Sequence, residues 1–212
     1  MRSALFLLMA VVACAARGGA SQAPVTLISG GTVVTMDAAR RVISNGAVAI
    51  QGEKIVAVGE AAALAGAYPG AERVDASGHG IMPGLVNTHG HGPMVLYRGL
   101  ADDLALMDWL QQYIFPAEAK TVSPEFVRIG TNLAALEMIE SGTTTYADMY
   151  YFEDDIAAAT KAAGLRGVLG QTIIQFPVAD AKTWEEGLAR AEAFIAKWQG
   201  DALITPAYAP HS

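Results

Sequence analysis

A single cysteine in 212 residues excludes an intrachain disulfide framework and any cysteine-rich metal site. Basic residues are also sparse: 14 Lys and Arg stand against 21 Asp and Glu, for a net charge of −7. That balance excludes the electrostatic footprint of a nucleic-acid or anionic-membrane partner, and no basic run offsets it locally. Charged residues make up only 17% of the chain and hydrophobic ones 52%. So apolar a composition suits strands buried on both faces, as in a parallel sheet.

The first 22 residues read as a secretory signal: basic Arg2, an apolar run from Ala4 to Ala16, then small residues. The run is too short to span a bilayer as a mature helix. Export is therefore expected, to the periplasm or to a lipid-anchored state. Val11-Val12-Ala13-Cys14 resembles a bacterial lipobox, which would make Cys14 a lipid anchor; cleavage near Ala15–Ala20 would instead release a soluble protein.

Residues 23–80 hold short β-rich runs at 25–28, 32–35, 47–50 and 54–58. The turn signals Gly30-Gly31, Asn45-Gly46 and Gln51-Gly52-Glu53 separate them. The pattern predicts part of a small N-terminal β-sandwich.

From Ile81 strands alternate with helices. Strands are expected at 81–88, 143–148, 167–174 and 202–208. Helices are expected around 104–113, 124–141, 154–163 and 184–198, with Ser123 as an N-cap and Gly142 as a C-cap. Such alternation means βαβ units and a parallel sheet. Four units over 81–212 are the first half of a (β/α)8 TIM-type barrel, which takes about 250 residues. The last expected strand has no helix after it, so the reading is of a barrel truncated at its C-terminus. A doubly wound open sheet is the competing fold.

His89 and His91 fall at the C-terminal end of the first parallel strand, in Asn87-Thr88-His89-Gly90-His91-Gly92-Pro93. Residues two apart on a strand point the same way, so both imidazoles can converge on one ion. Imidazole is a preferred ligand for zinc and its neighbours, and barrel enzymes place their sites at this face. Two incidental loop histidines are the bland alternative.

Ile81-Met82-Pro83-Gly84-Leu85-Val86-Asn87-Thr88-His89-Gly90-His91 resembles the PGxxNxHxH motif of the amidohydrolase superfamily. The likeness continues through Leu96–Leu104, Asp108-Trp109-Leu110, Phe115–Glu118, Ser141–Thr145, Asp148-Met149-Tyr150 and Ala209-Pro210-His211-Ser212. These segments are similar to the branch that holds methylthioadenosine/S-adenosylhomocysteine deaminases, cytosine and guanine deaminases and triazine chlorohydrolases.

The resemblance implies one divalent metal, zinc or else iron, held by His89, His91 and two later residues. It also implies hydrolytic deamination of a nitrogen heterocycle by metal-bound hydroxide. No catalytic residue is expected within this chain. The remaining ligands and the proton-shuttling glutamate would lie beyond Ser212, leaving these residues inactive alone. By the same resemblance His211, Glu118 and Trp109 contact substrate. Gln171 and Thr183 stand where some relatives would carry arginines, which weakens the case for a clamped substrate carboxylate. His79 reads as a turn histidine.

Two other functions stay open: hydrolysis of a cyclic amide or imidazolone through the same metal shell, and a catalytically inactive binding protein on the same fold. The expected partner is a small heterocyclic molecule, with no nucleic acid, membrane contact only through a Cys14 anchor, and homo-oligomerisation undecided.

Overall fold

The computed structural model describes residues 23–211; the expected leader, 1–22, lies outside the described residues. The chain divides into two compact units, Met1–Pro83 and Gly84–Ser212.

In the first unit, β1 (Val25–Val34), β2 (Val42–Gln51) and β3 (Lys54–Glu60) form an antiparallel meander. Helix α1 (Ala61–Ala67) follows, and β4 (Glu72–Asp75) and β5 (Gly80–Ile81) then return parallel to β1. Leu27, Ala47 and Ala49 are fully buried against Leu64 and Tyr68.

The described residues of this unit thus form one mixed five-stranded sheet packed against a helix. Two of the expected turns are not turns. Gly30-Gly31 and Asn45-Gly46 lie inside continuous strands, as irregularities of the β1–β2 ladder. A Cβ on Gly31 would stand 2.6 Å from the His79 carbonyl, and one on Gly46 would stand 2.6 Å from Val33 Cγ2. These glycines admit close neighbours; they do not reverse the chain. Gln51-Gly52-Glu53 does form the expected turn, with Gly52 at φ +59°.

The second unit holds four parallel strands, β6 (Leu85–Asn87), β7 (Thr143–Tyr150), β8 (Arg166–Ile173) and β9 (Ile204–Pro210), in the order β6-β7-β8-β9. Between them run α2 (Leu106–Trp109), α3 (Phe115–Thr121), α4 (Pro124–Glu140), α5 (Glu153–Ala163) and α6 (Trp184–Trp198). Each strand pairs with its successor in sequence. A doubly wound sheet reverses its strand order at a switch point, and no reversal occurs among the described strands.

Local chemistry sets the helix ends. Ser123 Oγ accepts from the Phe126 N–H at 3.2 Å and Thr183 Oγ1 from the Glu186 N–H at 3.3 Å, each capping the helix it precedes. The core gathers Val127, Tyr146, Ile156, Leu169, Phe194 and Ile204, all 2% exposed or less.

Two expected elements differ. The strand expected over 81–88 is interrupted at Met82-Pro83-Gly84, since proline cannot donate to a ladder: Gly80–Ile81 joins the first unit's sheet and Leu85–Asn87 the second's. The two compact units therefore meet at Pro83–Gly84. The helix expected around 104–113 is α2 followed by a wide π-type turn, Leu110–Ile114, that leads directly into α3.

Candidate functional site

Strand β6 ends at Asn87, so His89 and His91 stand in the loop beyond it and strand alternation does not aim them. The end of β7 holds this loop instead. The Met149 N–H donates to the Gly90 carbonyl at 3.3 Å, and the Gly92 N–H donates to Asp148 Oδ1 at 2.9 Å. His91 Nδ1 lies 2.7 Å from the Met149 carbonyl oxygen. A carbonyl can only accept, so Nδ1 carries the proton and Nε2 keeps a free lone pair. The two imidazoles come together with ring centroids 5.2 Å apart and planes at 79°.

That arrangement fits a divalent ion: two neighbouring nitrogen donors, one held in the ligating tautomer by a backbone acceptor, as is usual behind a metal-binding histidine. It is half a tetrahedral shell. Among the described residues no third His, Cys, Asp or Glu completes a metal-holding group.

A cavity of about 340 Å³ opens beside the pair and is lined by all five residues singled out from sequence: His89, His91, Trp109, Glu118 and His211. His211 arrives at the end of β9, its N–H donating to the Ile173 carbonyl at 2.8 Å. Trp109 and Glu118 arrive through the π-type turn, the kind of local irregularity that often re-aims side chains at functional sites. A wider cleft of about 630 Å³ also borders His91, but none of the other four reaches it.

Glu118 is not a surface acid at a helix end. It is 9% exposed, and Tyr150 Oη donates to its Oε1 at 2.7 Å. Burial raises its pKa, and the Tyr150 bond partly offsets the rise. His79, by contrast, is the expected turn residue, with Nδ1 2.9 Å from the Ser77 carbonyl.

Gln171 and Thr183, at the positions noted for lacking arginine, both have structural work. Thr183 caps α6, and buried Gln171 donates through Nε2 to Asp180 Oδ2 at 2.9 Å. Thr172 was not legible from sequence. It lines the 340 Å³ cavity, is 3% exposed, and its Oγ1 has no partner among the described residues. No spacing rule marks a lone threonine within an apolar strand.

Beneath the site lie Asp148 and Glu153, both buried. Burial pushes Asp148 up to about 7 against the N–H groups of Gly92 and Met149, which lower it. Burial, and then the neighbouring Asp148 charge, push Glu153 well above its ordinary 4.5, against the Tyr150 backbone N–H, which lowers it.

A carboxyl raised in the folded state binds a proton there that the unfolded chain would release. Its stabilising contribution is complete below pH 4.5 and is lost as pH rises through the folded value. Glu153→Gln should therefore match the parent in stability near pH 4 and exceed it at pH 8. The expected gain is about 1 kcal/mol or more, one unit of pKa difference being worth ~1.4 kcal/mol. Denaturant unfolding at the two pH values checks this; a variant less stable than the parent at pH 8 would refute it.

A model described as the amidohydrolase family matches residues 81–212, and one described as the imidazolonepropionase-like composite domain of bacteria matches residues 46–71. The chain is 48% identical over 187 residues to a 5-methylthioadenosine/S-adenosylhomocysteine deaminase of Syntrophus aciditrophicus, covering 88% of this chain and 42% of that protein. It is 42% identical over 188 residues to a 5'-deoxyadenosine deaminase of Methanococcoides burtonii, again covering 88% and 42%. Among solved structures, a zinc-bound adenosine deaminase from Xanthomonas campestris matches with a TM-score of 0.85 and 45% identity, over 88% of this chain and 42% of that one. The chain thus spans about 42% of the length of each of these three relatives.

Proposed function

Because this chain belongs to the amidohydrolase family, we propose that it is the N-terminal part of an exported, metal-dependent deaminase acting on an adenosine-type nitrogen heterocycle. In this reading further chain closes the four-stranded sheet into a (β/α)8 barrel and supplies the remaining ligands and the proton-shuttling glutamate. Residues 1–22 are removed on export, with Cys14 either anchoring the protein or cut away.

The observation that carries the reading is the convergence of His89, His91, Trp109, Glu118 and His211 on one cavity, with Nε2 of His91 left free to ligate. When bound, a divalent ion, zinc by the chemistry of the donors, makes water nucleophilic near neutral pH. His89 and His91 would hold it. Trp109 walls the heterocycle, and Glu118 and His211 bond its polar edge or an attached sugar. Water adds at the amino-bearing ring carbon, the carbon–nitrogen bond breaks, and ammonia leaves.

Ammonia release by the full-length protein, assayed across purines, pyrimidines and their nucleosides, tests the class. Release from an adenine nucleoside is expected. Ring opening of a cyclic amide without ammonia would overturn the reading, as would turnover of nothing. His211→Ala should keep the metal content while lowering kcat/KM roughly 5- to 150-fold, the equivalent of a lost hydrogen bond worth about 1–3 kcal/mol. Metal lost in step with activity would make His211 a ligand.

A further inference from the structure

Tyr150, the last residue of β7, belongs both to the core of the second unit and to the wall of the 340 Å³ cavity. It is 4% exposed and packs on Tyr151 with ring centroids 4.7 Å apart. Its hydroxyl reaches Glu118 on α3, 32 positions earlier in the chain. The phenol is a fixed donor: burial, and then the Glu118 charge, hold it protonated well above its ordinary range. Glu118 Oε1 is thereby committed, and a ligand is left Oε2.

The backbone behind the phenol is anchored too. Past Tyr150 the chain turns through Tyr151 to Phe152, which takes a left-handed φ of +55°. That conformation costs a bulky residue energy, and the surroundings must hold it. Buried Asp180 does so, its Oδ2 accepting from the Phe152 N–H at 2.8 Å and from Gln171 Nε2 at 2.9 Å. Tyr150, Glu118, Gln171 and Asp180 are all buried, so this scaffold is complete within the second unit.

A phenol that only satisfied a sealed acid would be a packing feature. Glu118 is not sealed, since it lines the cavity with Trp109 and the three histidines. Hydrogen bonds to an ionised group are about twice as strong as neutral ones, and they fix its orientation. We infer that Tyr150 is a positioning residue, its hydroxyl holding Glu118 as a fixed acceptor and leaving Oε2 for an N–H or O–H of the substrate. The inference rests on the deaminase reading, in which Glu118 bonds the substrate.

The role has a pH signature. Burial raises the Glu118 pKa and the Tyr150 bond lowers it, so removing the hydroxyl leaves less carboxylate as pH falls. The Glu118 charge also acts on Tyr97 and Tyr151, and His89, His91 and His211 share the cavity. The titrations of those histidines are common to parent and variant, and the ratio of the two isolates Glu118.

The test is ammonia release from 5'-deoxyadenosine by the full-length, metal-loaded protein and its Tyr150→Phe variant, which keeps the packed ring. KM should rise about 10-fold at pH 7 with kcat within about twofold. The acid limb of kcat/KM should move up by about one pH unit. In a Glu118→Gln background, where residue 118 cannot ionise, adding Tyr150→Phe should change KM by less than about twofold. An equal loss in that background, or a loss of the same size at every pH, would overturn the positioning role while leaving deamination standing. A parent that releases no ammonia removes the deaminase reading and this inference with it.

Discussion

Replacing His91 with alanine in the full-length protein is expected to weaken its hold on a divalent ion by more than about 100-fold and to bring ammonia release to background. The size follows from the geometry. Loss of a partner behind a ligating histidine costs about 10–100-fold in metal affinity, and loss of the ligand itself should cost more. His91 is both the proposed ligand and the residue that ties its loop to β7 through the Met149 carbonyl. His89→Ala should act in the same direction, and more purely on the ion, since the His89 N–H donates to Asn87 Oδ1 and this bond survives the change. Isothermal titration with zinc, alongside elemental analysis of the purified variants, measures both. Full metal occupancy in both variants would refute the ligand assignment.

Asp148→Ala is expected to weaken metal binding by about 10–100-fold, although the carboxylate is not placed on the ion. Its Oδ1 accepts from the Gly92 N–H, one residue past His91, and with the two Met149 bonds it closes a three-point clamp on the histidine loop. Alanine leaves the Gly92 N–H unpaired and the loop held at two points. Asp148→Asn retains an acceptor at the same place and should keep most of the affinity. Val127→Ala separates this effect from simple loss of stability. Val127 is fully buried in the core of the same unit, and its truncation should cost about 2 kcal/mol of folding free energy with metal affinity unchanged. The visible spectrum of cobalt-substituted protein gives a second readout, which shifts if the His91 ring is reoriented. Equal losses of metal affinity in Asp148→Ala and Val127→Ala would reduce Asp148 to a structural role.

Much of the second unit was legible because its signals are local. Helix α6 falls on the expected residues, and Ser123 and Gly142 mark the ends of α4 as their capping chemistry requires. The histidine pair was legible from its motif, but its orientation was not. Strand alternation was the expected cause, whereas hydrogen bonds to residues 56 and 58 positions later in the chain do the work. The Tyr150–Glu118 bond and the unpartnered Thr172 hydroxyl were hidden for the same reason, being products of tertiary packing. In the first unit the glycine pairs misled. Gly-Gly and Asn-Gly are hairpin signals only when the strands on either side of them pair with each other. Here β1 and β2 run through them, and the glycines give way to close neighbours.

The central claim is that His89 and His91 hold an ion without which no deamination occurs. Full-length protein stripped of metal by a chelator, then titrated with zinc while ammonia release from an adenine nucleoside is followed, tests it most directly. Release should fall to background on stripping and return in full at about one equivalent of zinc per chain. Undiminished release from the metal-free protein would contradict the claim.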